Sequence, residues 1–127
     1  MTAWQASHLG RYFSKAVVQA FWWAKRLHGF GSANVWVTNQ SSNTVTKLRA
    51  SDGTPLGTFA AGPGPVGVAF DSFNIWVADS FGSTVTKLRA LDGSVLGTLP
   101  EAQCHGLAFD GANIWVTNTD NSVVSKL

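Results

Sequence analysis

The chain has 127 residues, of which 45% are apolar, 12% aromatic with six Trp, and 13% charged, for a formal net charge of +2. This composition supports one globular core and excludes disorder throughout. A single cysteine, Cys104, excludes an intrachain disulfide framework and a cysteine-based metal site, and no apolar run approaches the ~18 residues of a membrane-spanning helix.

Residues 1–30 carry Arg11, Lys15, Lys25 and Arg26 and no acid, whereas acids outnumber bases in residues 31–127. The basic excess thus belongs to one segment, and no nucleic-acid partner is expected. Leu9, Tyr12, Phe13, Ala16, Val17, Ala20, Phe21, Ala24 and Leu27 recur at i, i+3 and i+4, which predicts an amphipathic helix over 3–28. Gly29 and Gly31 offer its stop. Such a helix covers an open sheet face; a basic, Trp-rich helix on a membrane surface and a segment foreign to the domain are the alternatives. Lys25 and Arg26 follow the apolar stretch, so a signal peptide is not recognised and the compartment stays open. Leu27-His-Gly-Phe30 echoes Cys104-His-Gly-Leu107, as if the helix ran into a shortened strand.

From residue 31 onward the chain repeats itself. Asn34-Val-Trp-Val-Thr-Asn39 returns as Asn74-Ile-Trp-Val-Ala-Asp79 and Asn113-Ile-Trp-Val-Thr-Asn118, with Trp spacings of 40 and 39 residues. Thr44-Val-Thr-Lys-Leu-Arg-Ala50 returns unchanged at 84–90, and Leu56-Gly-Thr-Phe59 returns as Leu96-Gly-Thr-Leu99. Val66-Gly-Val-Ala-Phe-Asp71 matches His105-Gly-Leu-Ala-Phe-Asp110. Each unit reads as four short strands bounded by Gly, Asn, Asp or Pro. The second strand (35–38, 75–78, 114–117) is nearly all apolar, as when both sheet faces are covered. The third (44–48, 84–88, 123–127) alternates, with Val45 and Lys47 on one face and Thr44, Thr46 and Leu48 on the other. Asp52-Gly53 and Asp92-Gly93 supply positive-φ turns into the fourth strand.

Four strands per ~40 residues is the period of a propeller blade. The expected fold is all-β: an incomplete β-propeller of about two and a half blades (31–62, 63–102, 103–127) behind the helical segment 1–30. Phe-Asp-x-x-Asn-Ile-Trp-Val-x-Asn followed by Thr-Val-Thr-Lys-Leu resembles the bacterial propellers of the YVTN and NHL-like group, which includes virginiamycin B lyase-like and lactonase propellers. That resemblance covers about residues 31–127. It implies a fold more than an activity. Closed rings use roughly 4–8 blades. Three arrangements follow: a piece of a longer protein, copies that complete a ring, or an N-terminal segment that covers an open face.

His105 stands at a strand entry where the other unit has Val66, and is the one chemically distinct feature of the repeats. In the lyase-like propellers the resemblance implies a histidine base and a metal held with acidic help on this rim. Only His105 matches, and no acidic partner or second histidine is identifiable. One imidazole neither makes a metal site nor orients itself as a base. Cys104 points away from His105 if both lie in a strand. Asp71 and Asp110 read as turn-formers that bond their own backbone, and Asp79, Asn39 and Asn118 read likewise. Lys47 and Lys87 form a row expected on a solvated surface. Trp36, Trp76 and Trp115 are expected in the repeat core rather than as a sugar-stacking platform. Trp76, in the unit flanked on both sides, should be the most buried.

These residues predict a non-enzymatic repeat scaffold for protein or small-ligand contacts, without cofactor or metal, able to self-associate into a ring. An enzyme of the lyase or lactonase type, active only in a completed ring, is the alternative, with a membrane-surface protein acting through residues 3–28 as a third class.

Overall fold

The computed structural model describes residues 16–20 and 34–127. They form three antiparallel sheets in chain order. The first is β1 (Ala16–Ala20), β2 (Asn34–Asn39), β3 (Thr44–Arg49) and β4 (Pro55–Ala60). The second is β5 (Pro65–Phe70), β6 (Asn74–Asp79), β7 (Thr84–Arg89) and β8 (Val95–Pro100). The third is β9 (Cys104–Phe109), β10 (Ile114–Asn118) and β11 (Val123–Lys126). Each sheet is a meander in which neighbours in sequence are neighbours in space. The leading strands meet: β5 lies against β1 and β2 on one side and β9 on the other. Gly67 permits that approach, since a Cβ there would run into the carbonyl oxygen of His105 on β9.

The repeat extends to the backbone. Asn43, Ser83 and Ser122 hold φ of 57°, 52° and 53° at the same turn position, and Gly53 and Gly93 hold 74° and 73° after Asp52 and Asp92. The registers of β3 on β4 and of β7 on β8 slip at the same place, after Lys47 and Lys87.

One sequence expectation is corrected here. Residues 16–20 lie within the predicted helix yet form a strand, pairing Ala16 with Asn39 and Ala20 with Val35. Sheet pairing overrides the helical spacing, and Val17 and Val18 are β-branched residues suited to it. The leading strand of the first sheet is therefore 16–20, and the shortened strand expected near 27–30 lies outside the described residues. The rest of the predicted helix over 3–28, with its membrane-surface alternative, lies outside the described residues.

The sheets stack face to face through alternating side chains. Trp36, Val45 and Phe59 of the first sheet pack on Val68, Phe70, Ile75, Val77 and Leu88 of the second. The opposite face of the second sheet, with Ala69, Ala78 and Val85, packs on Cys104, Ile114 and Val116 of the third. Thr38 Oγ1 also donates to the Val66 carbonyl, 3.3 Å, across the first joint. Val35, Val37 and Leu48, on the other face of the first sheet, are buried as well.

Burial of the repeat tryptophans follows this direction. Trp36 is 2% exposed, Trp76 is half-buried and Trp115 is 38% exposed. The expectation that Trp76 is the most buried is thus corrected. An indole is covered by the sheet that follows it, not by both neighbours. Trp36 meets a four-stranded sheet and the Phe59 ring, 5.9 Å between centroids. Trp76 meets a three-stranded sheet, with Leu99 in place of Phe59. No further sheet covers Trp115 among the described residues. Trp36→Ala should therefore cost about 3–5 kcal/mol in chemical denaturation, and Trp115→Ala no more than about 1 kcal/mol; equal losses would contradict this order of burial.

Candidate functional site

Two regions bear on function: the end of the stack where β9 begins, and the outward face of the third sheet.

At the first, the pleat turns Cys104 and His105 to opposite sides. Cys104 is fully buried, and its thiol donates to the Thr84 carbonyl, 3.1 Å. Burial, with the Asp79 charge nearby, pushes that thiol above its ordinary pKa, the reverse of a nucleophile's tuning. His105 is exposed, with Nε2 3.2 Å from the Ser80 hydroxyl at the end of β6. This partner is one the sequence reading missed, because Ser80 is 25 residues away in the preceding unit. Among the described residues no three His, Cys, Asp or Glu side chains converge as metal ligands.

Asp79 also lies in this part of the fold, and its carboxylate is turned inward. Thr86 Oγ1 donates to Oδ2 at 2.5 Å, Thr84 Oγ1 to Oδ2 at 3.2 Å, and the Gly62 amide to Oδ1 at 3.0 Å. Asn39 uses its amide in the same place, donating to Thr44 and Thr46 at 3.1 and 3.0 Å. Asn118 donates to the Ala102 carbonyl and accepts from the Asn121 amide. The turn-former reading is thereby corrected for Asn39 and Asp79, whereas Asn118 keeps it through the Asn121 amide and adds the Ala102 contact. All three are buried polar pins that tie the second strand to the third strand or to the loop entering the sheet. A short polar residue closing an apolar strand carries no sequence signal that separates the two roles. Burial raises the Asp79 pKa against the pull of its hydrogen bonds.

The second region is built from an element that the second and third units share in full. In the second sheet, Asp71 Oδ1 accepts the Phe73 and Asn74 amides at 3.0 and 2.7 Å, and its Oδ2 accepts the Trp76 indole N–H at 2.7 Å. Asp110 repeats this with Ala112, Asn113 and the Trp115 indole, at 2.8, 2.7 and 2.6 Å. The turn role of both acids holds, and each also clamps an indole. The Asp-x-x-x-x-Trp spacing was the available signal for it. Burial alone would raise the Asp71 carboxyl, but the donors outweigh it and the pKa falls. The Trp115 bond and the turn amides hold Asp110 far below the carboxylate range. In the first unit the equivalent position is Gly31, which has no carboxylate to offer Trp36.

The lysine row completes the element. Lys47, Lys87 and Lys126 place Nζ 5.5, 4.8 and 5.9 Å from the ring centres of Trp36, Trp76 and Trp115. Lys47 also donates to the Ala90 carbonyl of the next sheet, 3.0 Å, and burial lowers its pKa. A solvated row was expected; Lys47 and Lys87 are instead half-buried with their ammonium groups over the indoles, and the first lysine spans a joint. In the third sheet the same Asp–Trp–Lys set faces outward. Val124, the counterpart of Val45 and Val85, is 61% exposed where they are 0%.

The stack is similar to several solved structures. These include Kuenenia stuttgartiensis hydrazine synthase (18% identity, 76% of this chain and 29% of that one, TM-score 0.68) and the computationally designed Ika4 protein (14%, 74% and 59%, 0.63). Virginiamycin B lyase from Staphylococcus aureus is a third (19%, 74% and 37%, 0.56). The chain spans between 29% and 59% of the length of these three. At such identities the likeness supports a β-propeller-like fold alone. No family model matches the chain, and no curated protein matches it in sequence.

The buried pins give a pH test. The folded-state pKa of Asp79 is raised, so its contribution is fully present below the unfolded carboxylate pKa and is lost as pH rises through the folded value. Asp79→Asn copies Asn39 and Asn118 and should gain stability over the parent as pH rises from 4 to 8. Thermal melts across that range check it, and an advantage that shrinks towards pH 8 would contradict it.

Proposed function

We propose that this chain is a non-enzymatic propeller scaffold that binds protein through the outward face of its third sheet, most simply a second copy that supplies the covering sheet. One observation carries the reading. Trp115 and Lys126 repeat the Trp–Lys pair at the joint that holds the first sheet to the second, and Asp110 clamps its indole as Asp71 does in the second sheet, yet Trp115 is 38% exposed where Trp36 is 2%. A face already shaped for a neighbouring sheet gains by covering its apolar area at roughly 25 cal/mol per Å².

The lyase- or lactonase-like reading has one observation in its favour, the contact of His105 with Ser80. Against it, Asp79 is buried among its own donors, and no group of metal-ligating side chains converges among the described residues.

Light scattering tests the proposal. The parent should show a concentration-dependent mass above the 13.5 kDa of one chain, and Trp115→Ser should return it to one chain without loss of the sheet signal in circular dichroism. A parent that stays at one chain at every concentration, or a variant with unchanged assembly, would overturn it.

A further inference from the structure

The outer edge of β11 is a second open feature of the third sheet, distinct from the face. Leu127 donates its N–H inward to the Ile114 carbonyl, 2.8 Å. Alternation along the strand then turns the N–H and C=O of Lys126 and Val124 away from β10. Among the described residues β11 pairs with β10 alone, so this edge presents its backbone groups unpaired. The same edge is filled twice elsewhere in the molecule. β4 lies on β3 with Gly57 opposite Lys47 and Phe59 opposite Val45. β8 lies on β7 with Gly97 opposite Lys87 and Leu99 opposite Val85. Both added strands read Leu-Gly-Thr-apolar. β11 offers the matching row, Val124, Ser125 and Lys126.

We infer that the edge of β11 is a strand-accepting site for an extended segment of another polypeptide with the pattern Leu-Gly-Thr-apolar. The inference rests on the reading of the third sheet as an open propeller sheet. The glycine would stand opposite Lys126, as in both internal copies, and the apolar residue beside Val124. The threonine would meet Ser125, as Thr58 meets Thr46 at 3.0 Å in the first sheet. Ser125 now donates to Glu101 Oε1, 2.6 Å. That carboxylate sets a charge preference: a segment with an acid beside its threonine is disfavoured. Backbone pairing supplies the affinity and the alternate side chains the selectivity.

The test uses the full chain and a labelled peptide of residues 94–100, Ser-Val-Leu-Gly-Thr-Leu-Pro, read by fluorescence anisotropy and amide hydrogen exchange. Two modified peptides serve as controls. N-methylation at the positions of Gly97 and Leu99 blocks the amides that face β11 in this register, whereas N-methylation at Thr98 blocks one that faces away. The expected result is saturable binding, slowed exchange at Val124 and Lys126, and about tenfold weaker binding of the doubly methylated peptide than of the Thr98-methylated one. Absence of binding, equal binding of the two modified peptides, or protection at β7 in place of β11 would overturn the inference. Light scattering on Trp115→Ser reports on the face and the peptide on the edge, so either proposal can fail alone.

Discussion

The contact between an indole at the middle of one sheet and the apolar face of the sheet that follows it governs the rest of this structure. Trp36 sits against Phe70, Ile75 and Leu88 of its neighbour, and Trp76 against the third sheet. Because every unit carries its indole on the same face, the contacts all run one way along the stack. A stack built on such a joint has two unlike ends. At one end Val35, Val37 and Leu48 are buried. At the other, Trp115 and Val124 are exposed. The proposed partner binding rests on that polarity rather than on any catalytic group.

The indole is held by polar groups that do not compete with its packing. In the second and third units a carboxylate at the turn takes the ring N–H. A lysine places its ammonium over the ring. The strand ends are pinned separately by Asn39, Asp79 and Asn118. Fold stability and the candidate site thus use the same parts, and the third sheet differs from the others by what covers it.

Much of this was legible in the sequence because the period is nearly constant and the strands are short and β-branched. The ten strands read from residue 34 onward fall where the backbone places them, and the Asp-Gly turns adopt the positive φ expected of them. What was not legible depends on neighbours distant in the chain. Ala16–Ala20 sits inside a helical spacing, and its pairing with β2 is set 15 or more residues away. The order of Trp burial depends on which face meets which sheet, a choice that alternation alone leaves open. Asn39 and Asp79 look like turn residues until their cross-strand partners are seen. His105 was visible as an exception to the repeat, but its contact with Ser80 was not.

The sheets stack in one direction, each covering the indole before it. Hydroxyl-radical footprinting with mass spectrometry at low protein concentration measures this directly, since oxidation of a Trp follows its exposure. Of the three, Trp115 should be oxidised fastest, Trp76 at an intermediate rate and Trp36 slowest. Equal rates at the three positions, or faster oxidation of Trp36 than of Trp115, would contradict it.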